Sequence, residues 1–130
     1  MSDSKVCVVA GVGPGTGASL TRRFAREGYQ VAMLARSAGR IEAIAAEVLG
    51  THAFAVDLTD REAVQATFAV IRERLGPVDV LLQNAAAGSF KEFMDLEPEA
   101  LERNFQVNTM SLLHCGQEAA RDMLDRGAGS

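Results

Sequence analysis

Apolar positions along the chain follow two alternating rhythms. Short, nearly unbroken apolar runs occupy residues 5–10, 29–35, 52–56 and 78–82. Runs of this kind suit parallel strands covered on both faces. Between them the apolar positions fall three or four apart. Leu20 and Phe24 mark one side of a helix over residues 17–27, and Gly28 is its stop signal. Ile41, Ile44, Ala45 and Val48 mark a second helix over residues 37–49, ending at Gly50. Thr59 and Glu62 have capping-box spacing and open a third helix through Val64, Phe68 and Ile71 to Leu75, closed by Gly76 and Pro77. Pro98 starts a long helical stretch that runs past Leu124. The order β-α-β-α-β-α-β-α predicts an α/β fold, a doubly wound parallel sheet with helices on both faces. Residues 1–130 read as a single domain, and residues 85–98 as a site-facing loop.

The first strand runs straight into Ala10-Gly11-Val12-Gly13-Pro14-Gly15-Thr16-Gly17-Ala18, and a helix follows. That setting turns a weak glycine pattern into a dinucleotide fingerprint. Two registers fit: Gly13-x-Gly15-x-x-Ala18, and the wider Gly11-x-x-x-Gly15-x-Gly17. Both have the same physical meaning. Glycine permits positive φ in the tight turn, lets a pyrophosphate approach the backbone, and allows close packing of helix on sheet. The helix N-terminus then offers unpaired N–H groups to the phosphates.

An acidic residue at the end of the second strand would bind the ribose hydroxyls of NAD. Here Ala35 stands at that position and Arg36 follows. A guanidinium there can pair with a 2′-phosphate, and no carboxylate repels it. The expected cofactor is therefore NADP, with NAD the less favoured alternative.

Composition narrows the choice of partner. The formal net charge of −4 over 130 residues excludes non-specific nucleic-acid binding. No apolar run is long enough for a membrane span, and residues 1–5 lack a secretory pattern, so a cytoplasmic location is expected. Cys7 and Cys115 lie in apolar stretches, as buried free thiols do, and His52 and His114 stand far apart. No metal site is expected.

Several further motifs resemble those of the short-chain dehydrogenase/reductase family. The glycine stretch looks like its T-G-x-x-x-G-x-G loop, with Ala10 for the threonine. Asp57-Leu58 is similar to its D-[VL] pair, Gln83-Asn84-Ala85-Ala86 to its N-N-A-G, and Val107-Asn108 to its V-N. The resemblance implies a Rossmann-type sheet of strand order 3-2-1-4, cut before a fifth strand. It implies NADP-dependent hydride transfer between the nicotinamide and a carbonyl or alcohol substrate. Gly11, Gly13, Gly15, Thr16 and Gly17 would hold the pyrophosphate, Arg36 the 2′-phosphate, Asp57 and Leu58 the adenine, and Asn84, Ala85 and Ala86 the adenosine ribose. Asn108 would order a water in the proton relay. Pro14 sits where NADP-preferring relatives carry a basic residue, which leaves Arg36 as the sequence's NADP signal.

The family's catalytic serine, tyrosine and lysine have no counterpart here. The one tyrosine is Tyr29, and Met33 stands four residues on, so no Y-x-x-x-K exists. The chain is therefore expected to be the family's cofactor-binding half, inactive by itself, with a small-molecule substrate only in a complete form. Homo-oligomers would form through the long C-terminal helix or the edge of the fourth strand. A second reading is a non-catalytic dinucleotide-binding or self-associating module.

Overall fold

The computed structural model describes residues 3–130. Strands β1 (Val6–Ala10), β2 (Gln30–Ala35), β3 (Thr51–Ala55) and β4 (Val78–Gln83) form one parallel sheet in the order β3-β2-β1-β4. Helices α1 (Thr16–Arg26), α2 (Ala38–Glu47) and α3 (Arg61–Arg74) connect them in turn. After β4 come a 3₁₀ turn at Phe93–Asp95, helix α4 (Pro98–Phe105), a π turn at Gln106–Met110, and helix α5 (Ser111–Arg126). The expected fold class and strand order are those observed.

Alternation along β1 feeds two cores. Cys7 and Val9 pack with Ala18 of α1 and with Ile41 and Ile44 of α2. Val6, Val8 and Ala10 pack on the opposite face with Val64, Phe68 and Ile71 of α3 and with Cys115 and Ala119 of α5. Every residue of β1 is buried, which explains why its sequence reads as an unbroken apolar run. Among the described residues, no helix is long and apolar enough to cross a membrane.

Buried carboxylates tie the helices to the strand starts. Asp122 Oδ2 accepts from Val78 N at 2.8 Å, while its Oδ1 accepts from Arg72 Nε, also at 2.8 Å. Asp79 Oδ2 accepts from Val6 N at 2.8 Å and pairs with Arg126 through Oδ1. On the outer side of β4, Ser130 N donates to the Asp79 carbonyl at 3.0 Å and Leu81 N donates to the Ser130 carbonyl at 2.9 Å. This is a parallel pairing pattern. At Asp79 and Leu81, the β4 edge through which copies were expected to pair is thus taken up by Ser130 of the same chain.

Two local expectations need correction. Thr59 does not cap α3. Its N–H and Oγ1 both donate to Asp57 Oδ1, and Asp60 caps the helix instead by accepting from Ala63 N at 3.1 Å. The long C-terminal helix is also not uniform, because the π turn widens it between α4 and α5.

Candidate functional site

In a parallel sheet of this order, β1 is where the chain turns from one side of the sheet to the other. The crevice beyond the carboxyl ends of β1 and β4 is the expected ligand site. A cleft of about 880 Å³ lies there.

Its first wall is the glycine loop. Gly11 has φ of +99°, and a Cβ on it would sit 2.5 Å from Ala85 N, so only glycine fits. Asn84 Nδ2 donates to the Gly11 carbonyl at 3.0 Å, and Asn84 N donates to the Ala10 carbonyl at 2.8 Å. Asn84 thus braces a loop that Ala10, lacking a hydroxyl, cannot. A Cβ on Gly17 would lie 2.4 Å from the Gly11 carbonyl oxygen, so this glycine lets α1 pack against the loop. Gly13 and Gly15 differ, since a Cβ on either would meet no protein atom within 4 Å. Gly15 is the N-cap of α1, with no side-chain cap and no acidic residue in the first turn. Thr16 begins the helix and is exposed. The open space and uncapped N–H groups fit an anionic group such as a pyrophosphate.

The second wall comes from the ends of β2 and β3. Arg36, Ser37 and Arg40 line it, opposite Val56, Asp57, Leu58 and Thr59. Hydrogen bonds from the Thr59 backbone and then its hydroxyl hold the Asp57 carboxyl below its ordinary range, and the Arg36 charge adds to this. Asp57 is therefore ionised, fixed by Thr59 and within the electrostatic reach of Arg36.

The third wall is the exit of β4, where residues 84–87 face Arg103 and Val107 of the long helix. Ala86 lines the cleft where the family pattern has glycine. Asn108 does not line it. Its side chain is taken up by the Ala87 peptide, with bonds of 2.7 and 2.8 Å.

Of the residues expected from the sequence, Gly11, Gly13, Arg36, Asp57, Leu58, Asn84, Ala85 and Ala86 line one cleft. Gly15, Thr16, Gly17 and Asn108 support its walls. Ser37, Arg40, Arg103 and Val107 also line it and were not anticipated as ligand contacts, and Ala87 of the site-facing loop lines it as well. Arg40 could have been found, because it lies one helical turn after Arg36.

Comparison with known proteins decides the family. The short chain dehydrogenase model matches residues 5–130. The chain belongs to the short-chain dehydrogenase family. It is 32% identical to the D-erythrulose reductase of Gallus gallus over 120 residues, which is 92% of this chain and 47% of that protein. It is 31% identical to the L-xylulose reductase of Mesocricetus auratus over 121 residues, 93% of this chain and 48% of the relative. This short-chain dehydrogenase chain thus spans about half the length of the curated relatives it matches. Among solved structures, an actinorhodin polyketide ketoreductase variant with NADPH superposes with a TM-score of 0.92 at 28% identity, covering 98% of this chain and 51% of the other. An alcohol dehydrogenase from Thermococcus sibiricus complexed with 5-hydroxy-NADP gives 0.90 at 30% identity, covering 97% and 56%.

Proposed function

We propose that this chain is the NADP(H)-binding part of a short-chain dehydrogenase that interconverts a carbonyl and an alcohol. The observation that carries the cofactor reading is the pairing of Arg36 and Arg40 on one cleft wall, with Ala35 in place of a ribose-binding acid. Two guanidinium groups suit a 2′-phosphate, and charge-assisted bonds of this type are the strong ones. The solved relatives with NADPH and 5-hydroxy-NADP support the same reading.

In this reading the uncapped start of α1, with the open space at Gly13 and Gly15, takes the pyrophosphate. Arg36, Ser37 and Arg40 take the 2′-phosphate. Asp57 and Leu58 border the adenine, and residues 84–86 border its ribose. The bound nicotinamide would supply the hydride. Asn108 acts on this site by holding the Ala87 peptide, and the remaining N–H and lone pair of its amide would order the water of the proton relay.

Tyr29 packs edge-on against Phe24 at 5.1 Å and precedes β2, at the end of the sheet away from the cleft. We therefore expect these 130 residues to bind dinucleotide without turning over substrate. A small-molecule substrate and a cytoplasmic setting complete the reading. Exposed Leu101, Phe105 and Leu112 on the long helix favour pairing of copies there.

Titration of the purified chain with NADPH and NADH, followed by calorimetry, tests the proposal. NADPH should bind at least about tenfold more tightly, the difference expected of one charge-assisted phosphate contact. Equal affinities would remove the 2′-phosphate assignment. Absence of binding to both would remove the dinucleotide reading and leave a self-associating module.

A further inference from the structure

Three side-chain contacts run in order between the segment leaving β4 and the long helix. Gln83 Nε2 donates to Ser111 Oγ at 2.9 Å, Asn108 holds Ala87, and Asn104 Nδ2 donates to Ser89 Oγ at 3.1 Å. The three helix residues fall on one face. Gln83 ends β4, Ala87 and Ser89 lie in the segment that follows, and Ala87 lines the cleft.

The contact at Ser111 bears on where Asn108 points. Ser111 is fully buried, and its N–H donates to the Gln106 carbonyl, the spacing of a π turn. Its hydroxyl donates to the Val107 carbonyl. Ser111 therefore holds the widened turn at two successive carbonyls. A π turn shifts helix phase by one residue, so it decides which side chain between Gln106 and Met110 meets the loop.

Gln83 completes the arrangement. The single hydroxyl proton of Ser111 is committed to Val107, so the oxygen can only accept from Gln83. The Gln83 amide must turn its nitrogen inward, which leaves its Oε1 buried without a hydrogen-bond partner. An orphaned buried acceptor is unfavourable by itself. Its presence here fits an amide whose orientation is dictated by Ser111.

We propose that Gln83 and Ser111 are positioning residues for the cleft: they set the π turn that delivers Asn108 to Ala87, and so hold the wall formed by residues 84–87. The consequence for binding rests on the dinucleotide reading above, whereas the consequence for Ala87 does not.

The test uses the full chain with Ser111→Ala and, separately, Gln83→Met. Amide exchange by NMR is measured at Ala87 and at Val8 and Ala32 in the sheet, together with the dissociation constant for NADPH. Each variant should speed exchange at Ala87 by about tenfold or more, with the sheet amides little changed. The NADPH dissociation constant should rise about fivefold, the effect of losing one net hydrogen bond. Unchanged exchange at Ala87 in either variant overturns the proposal, as does acceleration spread equally over Val8 and Ala32, which would mark a purely structural role. If the parent chain binds no NADPH, the cofactor reading falls while the Ala87 amide still decides this proposal.

Discussion

Asn108 grips the Ala87 peptide by both of its polar atoms: Ala87 N donates to Asn108 Oδ1 at 2.7 Å, and Asn108 Nδ2 donates to the Ala87 carbonyl at 2.8 Å. A side-chain amide carries the donor and the acceptor that this geometry needs, whereas an aspartate carries acceptors only. Asn108→Asp should therefore keep one bond and set a carboxylate against the Ala87 carbonyl. We expect a loss of about 1 kcal/mol in stability, because the contact is exposed to solvent. Urea unfolding of the two chains measures it. An unchanged midpoint would show that the loop stays in place without the amide.

Arg36 and Arg40 together make a cation pair at the mouth of the cleft, with Asp57 on the facing wall. Removing one guanidinium should weaken NADPH binding by about tenfold to a hundredfold, the range of a bond to a charged group. Arg36→Ala and Arg40→Ala should each do so and leave NADH affinity nearly unchanged. Parallel titrations with both dinucleotides read the difference. If NADH affinity falls by the same factor, the arginines hold something common to both cofactors.

The sheet was legible in the sequence because β1 and the middle of β2 are buried on both faces and leave apolar runs, while β3 and β4, half-buried over much of their length, keep apolar residues at most positions. The glycine loop was legible because Gly11 and Gly17 have no room for a Cβ. What stayed hidden depends on tertiary phase. Arg103 and Val107 reach the cleft only because of how the long helix lies across the β4 exit. The partner of Asn108 depends on the π turn, which residue spacing does not announce. Thr59 looked like a cap by spacing, but Asp57, two residues earlier, captures both of its donors and leaves the cap to Asp60.

The glycines divide into two groups with opposite expected behaviour. At Gly17 an added Cβ would lie 2.8 Å from the Val12 Cα and 2.4 Å from the Gly11 carbonyl oxygen, backbone that cannot easily yield. Gly17→Ala should destabilise the chain by several kcal/mol, on the order of other overpacked core sites. At Gly13 there is open space and φ is not positive, so Gly13→Ala should fold with a thermal midpoint close to that of the parent. Its NADPH affinity should nevertheless fall about tenfold or more, since the new methyl occupies space meant for the ligand. Thermal melts and cofactor titration of both variants separate the two roles. A Gly13→Ala chain that binds NADPH normally would place the phosphates elsewhere.

Cys7 and Cys115 are fully buried, and burial pushes both thiols up to about 12. The thiolate is the reactive form, so neither should react in the folded chain at neutral pH. Native protein mixed with a chromogenic disulfide reagent should show almost no release, and denatured protein should titrate both cysteines present in the sequence. Fast reaction in the native state would mean that a core packed around β1 or α5 opens readily.

His52 on β3 meets Gln30 Oε1 on β2 through Nε2 at 2.7 Å. Burial, and then the charge of Arg74, lower its pKa from 6.5. The folded chain thus favours the neutral ring, and the unfolded chain takes up a proton more readily. By linkage, the stability tied to this preference is fully present above the unfolded value near 6.5 and is lost as pH falls through the lower folded value. The urea midpoint should therefore decline as pH drops from about 7.5 to about 5.5, a window above the range in which carboxylates titrate. His52→Gln retains a polar partner for Gln30 and carries no titrating group, so its midpoint should stay flatter over the same window. A parallel decline in both chains would assign the pH dependence to groups other than His52.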